Sequence, residues 1–135
     1  MARSPNRLLG VISGVVYVLV GLLECTVTAG VGFFATEGGL LFGIFEVNVF
    51  DNVAHILVGA ALLLAGLSNA RSAKIVNGVV GAAYLALGLA GLFLVGSALN
   101  ILALNVADNV LHFGSAVVLL AVSLGADKSR VTATA

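Results

Sequence analysis

Four long apolar stretches divide this sequence and restrict it to one class of structure. A helix needs about 20 mostly apolar residues to cross the hydrocarbon layer of a membrane. Here 61 % of the residues are apolar and 9 % are charged, whereas a soluble domain carries about 25 % charged residues. The sequence therefore predicts an all-α protein that crosses a membrane four times. The predicted membrane helices cover residues 8–30, 51–68, 75–97 and 107–125.

The basic residues all lie in alternate segments between or beside these stretches. They are Arg3, Arg7, Arg71, Lys74, Lys128 and Arg130. The two remaining connections, 31–50 and 98–106, contain no Lys or Arg. Since basic connections stay on the cytoplasmic side, we predict a multi-pass protein of the cell membrane whose N- and C-termini are both cytoplasmic.

Two shifts of the chain reveal an internal repeat. A shift of 57 residues superposes Asn48, Asp51, Asn52 and His55 on Asn105, Asp108, Asn109 and His112. A shift of 67 superposes Arg7, Gly14, Tyr17 and Gly21 on Lys74, Gly81, Tyr84 and Gly88. We predict a four-helix transmembrane bundle of two tandem, parallel-repeat helical hairpins. A single domain, 1–135, would then hold repeat one (7–68), repeat two (74–125) and a short disordered cytoplasmic tail (126–135).

The symmetry of such a duplication places the repeated motifs close together. Helices two and four would be diagonal mates that face each other across the axis. The polar positions of each motif recur at helical spacing, so they form one stripe per helix, and polar side chains turn away from lipid. We expect the two stripes to converge near the axis, towards the outer face.

One interpretation of the repeated motif is purely structural. Asn48 and Asn105 are good N-cap residues, and an Asp three positions later can return a hydrogen bond to the cap. Asn52 and Asn109 would then bond across helices or to loop carbonyls. This interpretation accounts for a structural polar cluster without any ligand. It explains the two histidines less well, because capping does not require them.

The other interpretation is a ligand site. Two imidazoles and two carboxylates that converge could bind a divalent metal ion such as zinc, or the imidazoles could ligate a haem. Glu24 lies near the same depth and is not explained by the repeat, since its counterpart is Gly91. An ionisable residue within a membrane helix is a functional candidate. The candidate ligands are His55, His112, Asp51, Asp108 and Glu24.

Other functional classes receive little support. Six Lys and Arg balance six Asp and Glu, so no basic face for nucleic acid can be assembled. The single Cys25 excludes an intramolecular disulfide. No nucleophile elbow, phosphate-binding loop or dinucleotide fingerprint occurs, which favours a protein that is not an enzyme.

The repeated stretches "NVFDNVAHILVG" and "LNVADNVLHFGSA" also carry a resemblance. The chain resembles a family of small four-helix bacterial integral membrane proteins catalogued as a domain of unknown function, with an Asn-x-x-x-Asn-x-x-His pattern opening helices two and four. The resemblance implies a four-helix membrane fold and no particular reaction. We expect a non-catalytic component of a homo-oligomer or of a larger complex with other membrane proteins. The alternative is a protein that binds metal or haem through the paired Asp/His motifs.

Overall fold

The computed structural model describes residues 3–128, which form four α-helices and one β-hairpin. The elements are α1 (Pro5–Glu24), β1 (Gly39–Leu41), β2 (Phe45–Val47), α2 (Val49–Ser68), α3 (Ala70–Leu94) and α4 (Val106–Gly125). The predicted tail begins at 126, and its residues 129–135 lie outside the described part of the chain. We call the end of the bundle that carries β1 and β2 the β-hairpin end, and the opposite end the terminal end.

All four helices are long and apolar enough to cross a membrane. Three have 20 residues and α3 has 25, and 20 residues at 1.5 Å per residue span about 30 Å. Large apolar side chains cover their outward faces, with Leu57 64 % and Leu64 68 % exposed. The predicted four-helix transmembrane bundle is confirmed.

Two helices end earlier than the sequence pattern predicts. The first was expected to reach residue 30 but ends at Glu24, and the third was expected to reach residue 97 but ends at Leu94. Helix α1 ends in tight turns, because the amides of Cys25, Thr26 and Val27 donate to carbonyls three residues back. Helix α3 ends two residues before Gly96, which has a positive φ of +77°. This left-handed backbone does not continue a helix, and glycine adopts it without steric cost.

The connection between α1 and α2 contains a β-hairpin that the sequence analysis did not predict. The strands pair antiparallel, with Leu41 opposite Phe45. Phe42 and Gly43 both have positive φ, and the Ile44 amide donates to the Leu41 carbonyl at 3.1 Å. These features match a type I′ turn, the tight connection that suits the twist of a hairpin.

Glycines allow α1 and α2 to pack backbone against backbone. A Cβ on Gly14 would lie 2.8 Å from the Gly59 carbonyl oxygen, and a Cβ on Gly59 would lie 2.6 Å from the Val18 nitrogen. Close contact of this kind is how small residues associate helices in lipid. In the α3–α4 hairpin, the glycines receive side chains instead; Gly88, for example, faces the ring of Phe113.

The two diagonals of the bundle are unequal. Helices α1 and α3 approach each other more closely than α2 and α4 do. The expectation that α2 directly faces α4 is therefore wrong. At the centre, α1 and α3 project Tyr17 and Tyr84 into the middle, where they pack with Leu62 of α2 and with Ala116 and Leu119 of α4.

Candidate functional site

The first asparagine of each motif caps its helix. The side chain of Asn48 accepts a hydrogen bond from the Asp51 amide, and Asn105 accepts one from the Asp108 amide, each at 3.0 Å. In α4 the Asp108 carboxylate returns the bond, accepting from the Asn105 amide at 2.9 Å and completing a capping box. In α2 the structure records only the forward bond, and the Asp51 carboxylate points towards His55.

A buried pair of ionisable groups joins α1 to α2. Glu24 Oε1 lies 2.7 Å from His55 Nδ1, and Asp51 Oδ2 lies 3.9 Å from the same nitrogen. Glu24 is 1 % exposed, and Asp51 and His55 are each 6 % exposed. One donor atom from each residue lies within 4.8 Å of the other two. The end of α1 and the first turns of α2 thus form a compact group of two carboxylates and one imidazole.

A polar shell fixes the carboxylate of Glu24. In the amide orientation that gives each Asn52 atom a partner, the nitrogen donates to Glu24 Oε2 at 3.1 Å and to the Asn48 carbonyl at 2.9 Å. The Asn52 oxygen then accepts from the Thr28 hydroxyl at 2.8 Å. The second asparagine of the motif therefore orients the carboxylate, as outer-shell groups do around metal ligands.

The equivalent place in repeat two holds a different arrangement. Glu24 corresponds to Gly91, and a Cβ added to Gly91 would collide with the amide of Asn109. The Asn109 side chain thus fills the room that a larger residue would need. His112 is 3 % exposed, and its Nδ1 has no hydrogen-bond partner among the described residues.

Four aromatic rings form a stacked column across the centre of the bundle. His55 stacks on Tyr17 with ring centroids 5.7 Å apart, Tyr17 stacks on Tyr84 at 5.4 Å, and Tyr84 stacks on His112 at 5.2 Å. The column repeats the symmetry of the sequence, because each repeat contributes one phenol and one imidazole. The two phenol rings occupy the space between the imidazoles, so these side chains do not fit around a haem with two histidine ligands.

A cavity of about 160 Å³ lies between the ring column and the β-hairpin. Its lining includes the ionisable groups of Glu24, His55, Asp108 and His112. The β-hairpin covers it with apolar side chains that include Leu41 and Phe45. Both histidines and acids from both repeats therefore line one cavity near the end of the membrane span.

Charge is strongly segregated between the two ends. Five of the six acidic residues belong to the β-hairpin end, namely Glu24, Glu37, Glu46, Asp51 and Asp108. The segments 8–70 and 75–127, which contain that end, have no Lys or Arg. The imidazoles are therefore the side chains there that can carry positive charge.

The structure brings together some of the predicted ligands and separates others. Glu24, Asp51 and His55 form one group, while Asp108 and His112 line the adjoining cavity outside it. The sequence analysis identified Tyr17 and Tyr84 only as matching repeat positions and missed their place between the histidines. Their matching positions at a shift of 67 residues were the available signal.

A second polar cluster, at the terminal end, was also missed. The Asn77 amide donates to the carbonyl of Asn6 at 3.0 Å, and the Asn6 amide donates to Asp127 at 2.9 Å. Both asparagines are 0 % exposed. These bonds tie α1 to α3 and to the end of α4, which is a structural role.

The fold and the buried ionisable group together define a multi-pass helical membrane protein with a polar site near one end of its span. The family model described as "Domain of unknown function (DUF4383)" matches residues 7–125. The chain belongs to this family, as the resemblance of its repeated motif implied. Comparisons with curated proteins and with solved structures give no match.

Proposed function

We propose that this protein binds a divalent transition-metal ion near the β-hairpin end, with Glu24, Asp51 and His55 as its ligands. The observation that carries the proposal is the mutual proximity of three buried donor atoms, all within 4.8 Å of one another. Zinc binds His nitrogen and carboxylate oxygen at about 2.0–2.2 Å. Two ligand atoms on one such ion lie about 3.0–3.4 Å apart, and the His55 nitrogen lies 2.7 Å and 3.9 Å from the two carboxylates.

The charge of the site supports a divalent cation. Burying two carboxylates is costly unless opposite charge compensates them. A protonated His55 could balance one of them, and no Lys or Arg occurs in the segments that form this end. An ion of charge +2 balances both carboxylates while His55 remains neutral, which is the form that ligates metal.

The donor set favours a transition metal over calcium or magnesium. Calcium and magnesium are bound mainly through oxygen atoms, whereas an imidazole with carboxylates suits zinc, manganese or iron. The Asn52 amide supplies an outer-shell contact to Glu24 Oε2. This leaves Oε1, the oxygen beside His55, to face the ion.

Metal titration of the purified protein tests this proposal. The full chain, placed in lipid nanodiscs and stripped with a chelator, is titrated with Zn²⁺, and with Co²⁺ for its absorption spectrum. We expect one equivalent to bind. Glu24→Gln and His55→Ala should each weaken binding at least about tenfold, because each removes a direct ligand.

Matched variants make the result specific. Glu37→Gln removes an exposed acid at the same end, and His112→Ala removes the histidine outside the group; both should bind as the parent does. Absence of stoichiometric metal in a folded protein would refute the proposal. If Glu37→Gln loses as much metal affinity as Glu24→Gln, the binding reflects general charge attraction at this end and not ligation by the group.

A second candidate function is that of an accessory component in a homo-oligomer or larger membrane complex. The observation that favours it is the apolar surface of the connections at the β-hairpin end. Phe42 is 69 % exposed and Leu99 is 73 % exposed, and such patches mark interaction surfaces. Native mass spectrometry of the detergent-extracted protein should detect a defined oligomer or a bound partner, which Phe42→Ser with Leu99→Ser would release. A strictly monomeric protein would contradict this role.

We also propose that the chain lies in the cell membrane with both termini in the cytoplasm, as one domain of two duplicated hairpins. All basic residues lie in the N- and C-terminal segments and the connection between α2 and α3, which supports this orientation. A cysteine introduced as Glu37→Cys in a Cys25→Ala background should react with an impermeant maleimide on intact cells. Ser68→Cys in the same background should react after lysis only, and the reverse pattern would overturn the orientation.

A further inference from the structure

The duplication creates two lateral crevices, one in each half of the bundle. Crevice one, between α1 and α4, has a volume of about 420 Å³, and crevice two, between α3 and α2, has about 350 Å³. Each has a tyrosine of the central column in its wall, Tyr17 in crevice one and Tyr84 in crevice two. Both volumes fall in the range of small-molecule sites.

Crevice one is reached from the lipid. Its lining includes Ile12, Val16 and Val118, which are 54 %, 50 % and 50 % exposed on the faces of α1 and α4. A ligand that enters from this side is soluble in the hydrocarbon layer. A charged molecule would have to leave water to reach it, which is unfavourable.

A hydroxyl group in crevice one has an unused proton. Tyr17 donates to the Ser115 hydroxyl at 2.6 Å, so the Ser115 oxygen is an acceptor in that bond. Among residues 3–128 the structure gives the Ser115 proton no acceptor. A donor without a partner is costly where water is scarce. The occupant that satisfies it carries an acceptor oxygen.

The wall beside Ser115 leaves open space. A Cβ added to Gly114 would meet no atom within 4 Å, and Gly114 lines the crevice. A ring therefore has room beside Gly114 to direct its edge towards Ser115. In crevice two the position that corresponds to Ser115 is Val58, so the hydroxyl is missing there.

We propose that crevice one binds a membrane quinone, with a ring carbonyl accepting the Ser115 proton and the isoprenoid tail extending into the lipid. A quinone is planar, uncharged and lipid-soluble, and its carbonyl oxygens are hydrogen-bond acceptors. Binding alone is proposed, with no electron transfer. The inference is independent of the metal site.

Photolabelling in nanodiscs tests the proposal. The full chain in phosphatidylcholine nanodiscs is exposed to an azido-benzoquinone with a decyl tail, and cross-linked peptides are identified by mass spectrometry. We expect labels on α1 and α4 around crevice one, suppressed by unlabelled decylbenzoquinone. Ser115→Ala should weaken this competition about fivefold, the effect of losing one hydrogen bond. Gly114→Leu should block labelling by filling the crevice.

Two controls determine the outcome. Ser123→Ala removes another α4 hydroxyl, which donates to the Lys74 carbonyl away from the crevice, and should bind as the parent does. An azido fatty acid of equal length should label crevice one weakly and insensitively to Ser115→Ala. The proposal is overturned if Ser115→Ala has no effect, if crevice two is labelled equally, or if the fatty acid competes as well as the quinone. If Gly114→Leu fails to fold, the Ser115 comparison decides.

Discussion

Tyr17 and Tyr84 stack ring on ring at the centre of the bundle, with centroids 5.4 Å apart and planes inclined by 16°. The two residues occupy matching positions in the two repeats, so the contact lies where the symmetry axis of the duplication is expected. Each phenol also stacks on one histidine. The column therefore couples the packing of the core to the position of the imidazoles.

Truncation of one ring should weaken the whole bundle. Tyr84 contacts two rings of the column and is 7 % exposed, so Tyr84→Leu loses two stacking contacts and leaves a gap. We expect a loss of about 2–3 kcal/mol in the free energy of unfolding, measured by denaturation in mixed micelles. Tyr84→Phe keeps the ring and should lose less than half as much. Equal losses would show that the hydroxyl, not stacking, matters.

The contact between α1 and α2 should not tolerate even one methyl group. A Cβ at Gly59 would lie 2.6 Å from a backbone nitrogen and 2.8 Å from the Gly14 carbonyl oxygen, and backbone atoms cannot move without separating the helices. Gly59→Ala should therefore cost about 2 kcal/mol or more. Gly114→Ala is the matched control, because its Cβ would meet no atom within 4 Å. A stable Gly59→Ala variant would contradict this tight packing.

The two helix caps should contribute unequally to the free energy of unfolding, although their sequences match. Asn48 is 0 % exposed, and its amide also donates to the carbonyls of Ala35 and Ile101 at 3.0 and 2.6 Å. Asn105 is partly exposed and donates to one loop carbonyl, that of Ile44. Asn105→Ala should cost about 1 kcal/mol, as helix caps do. Asn48→Ala should cost about 2–3 kcal/mol, because it leaves two carbonyls without partners.

A conservative variant separates the two roles of Asn48. Asn48→Asp keeps an oxygen that can accept from the Asp51 amide but removes the two donated bonds. Thermal unfolding should place it between the parent and Asn48→Ala. If Asn48→Asp is as stable as the parent, the loop bonds contribute nothing and the larger expected cost is wrong.

The sequence predicted the fold well, because a membrane environment requires apolar helices long enough to cross it. Apolar stretches of membrane length and repeated caps depend on local composition, and both appear in the structure. The β-hairpin was missed because its strands have three residues each, too few for a periodic pattern. Helix ends were misplaced because residues after Glu24 remain apolar or small while the backbone turns.

The candidate site was predicted only in part, because its geometry depends on how the helices pack against one another. The periodicity of α2 and α4 placed the histidines on inward faces, and both are buried. Periodicity carries no information on which helices approach most closely. That depended on the residues that meet at the centre, where Tyr17 and Tyr84 pack with Leu62, Ala116 and Leu119.

Glu24 and Gly91 occupy matching positions in the two repeats but differ in their side chains. This difference predicts how a contact like that of Glu24 with His55 can be built into repeat two. Gly91→Glu alone should be strongly destabilising, since any side chain at position 91 collides with the amide of Asn109. Asn109→Ala clears that space and leaves the Nδ1 of His112 as an available partner. In the double variant, a carboxylate at position 91 can pair with His112 as Glu24 pairs with His55.

A double-mutant cycle on unfolding free energy should give a favourable coupling of about 1–3 kcal/mol. His112→Phe in that background should remove the share of the coupling energy that comes from the ion pair. It should keep the share that comes from relieved crowding. Additive single and double effects would mean that the two repeats do not share one geometry at this end of the bundle.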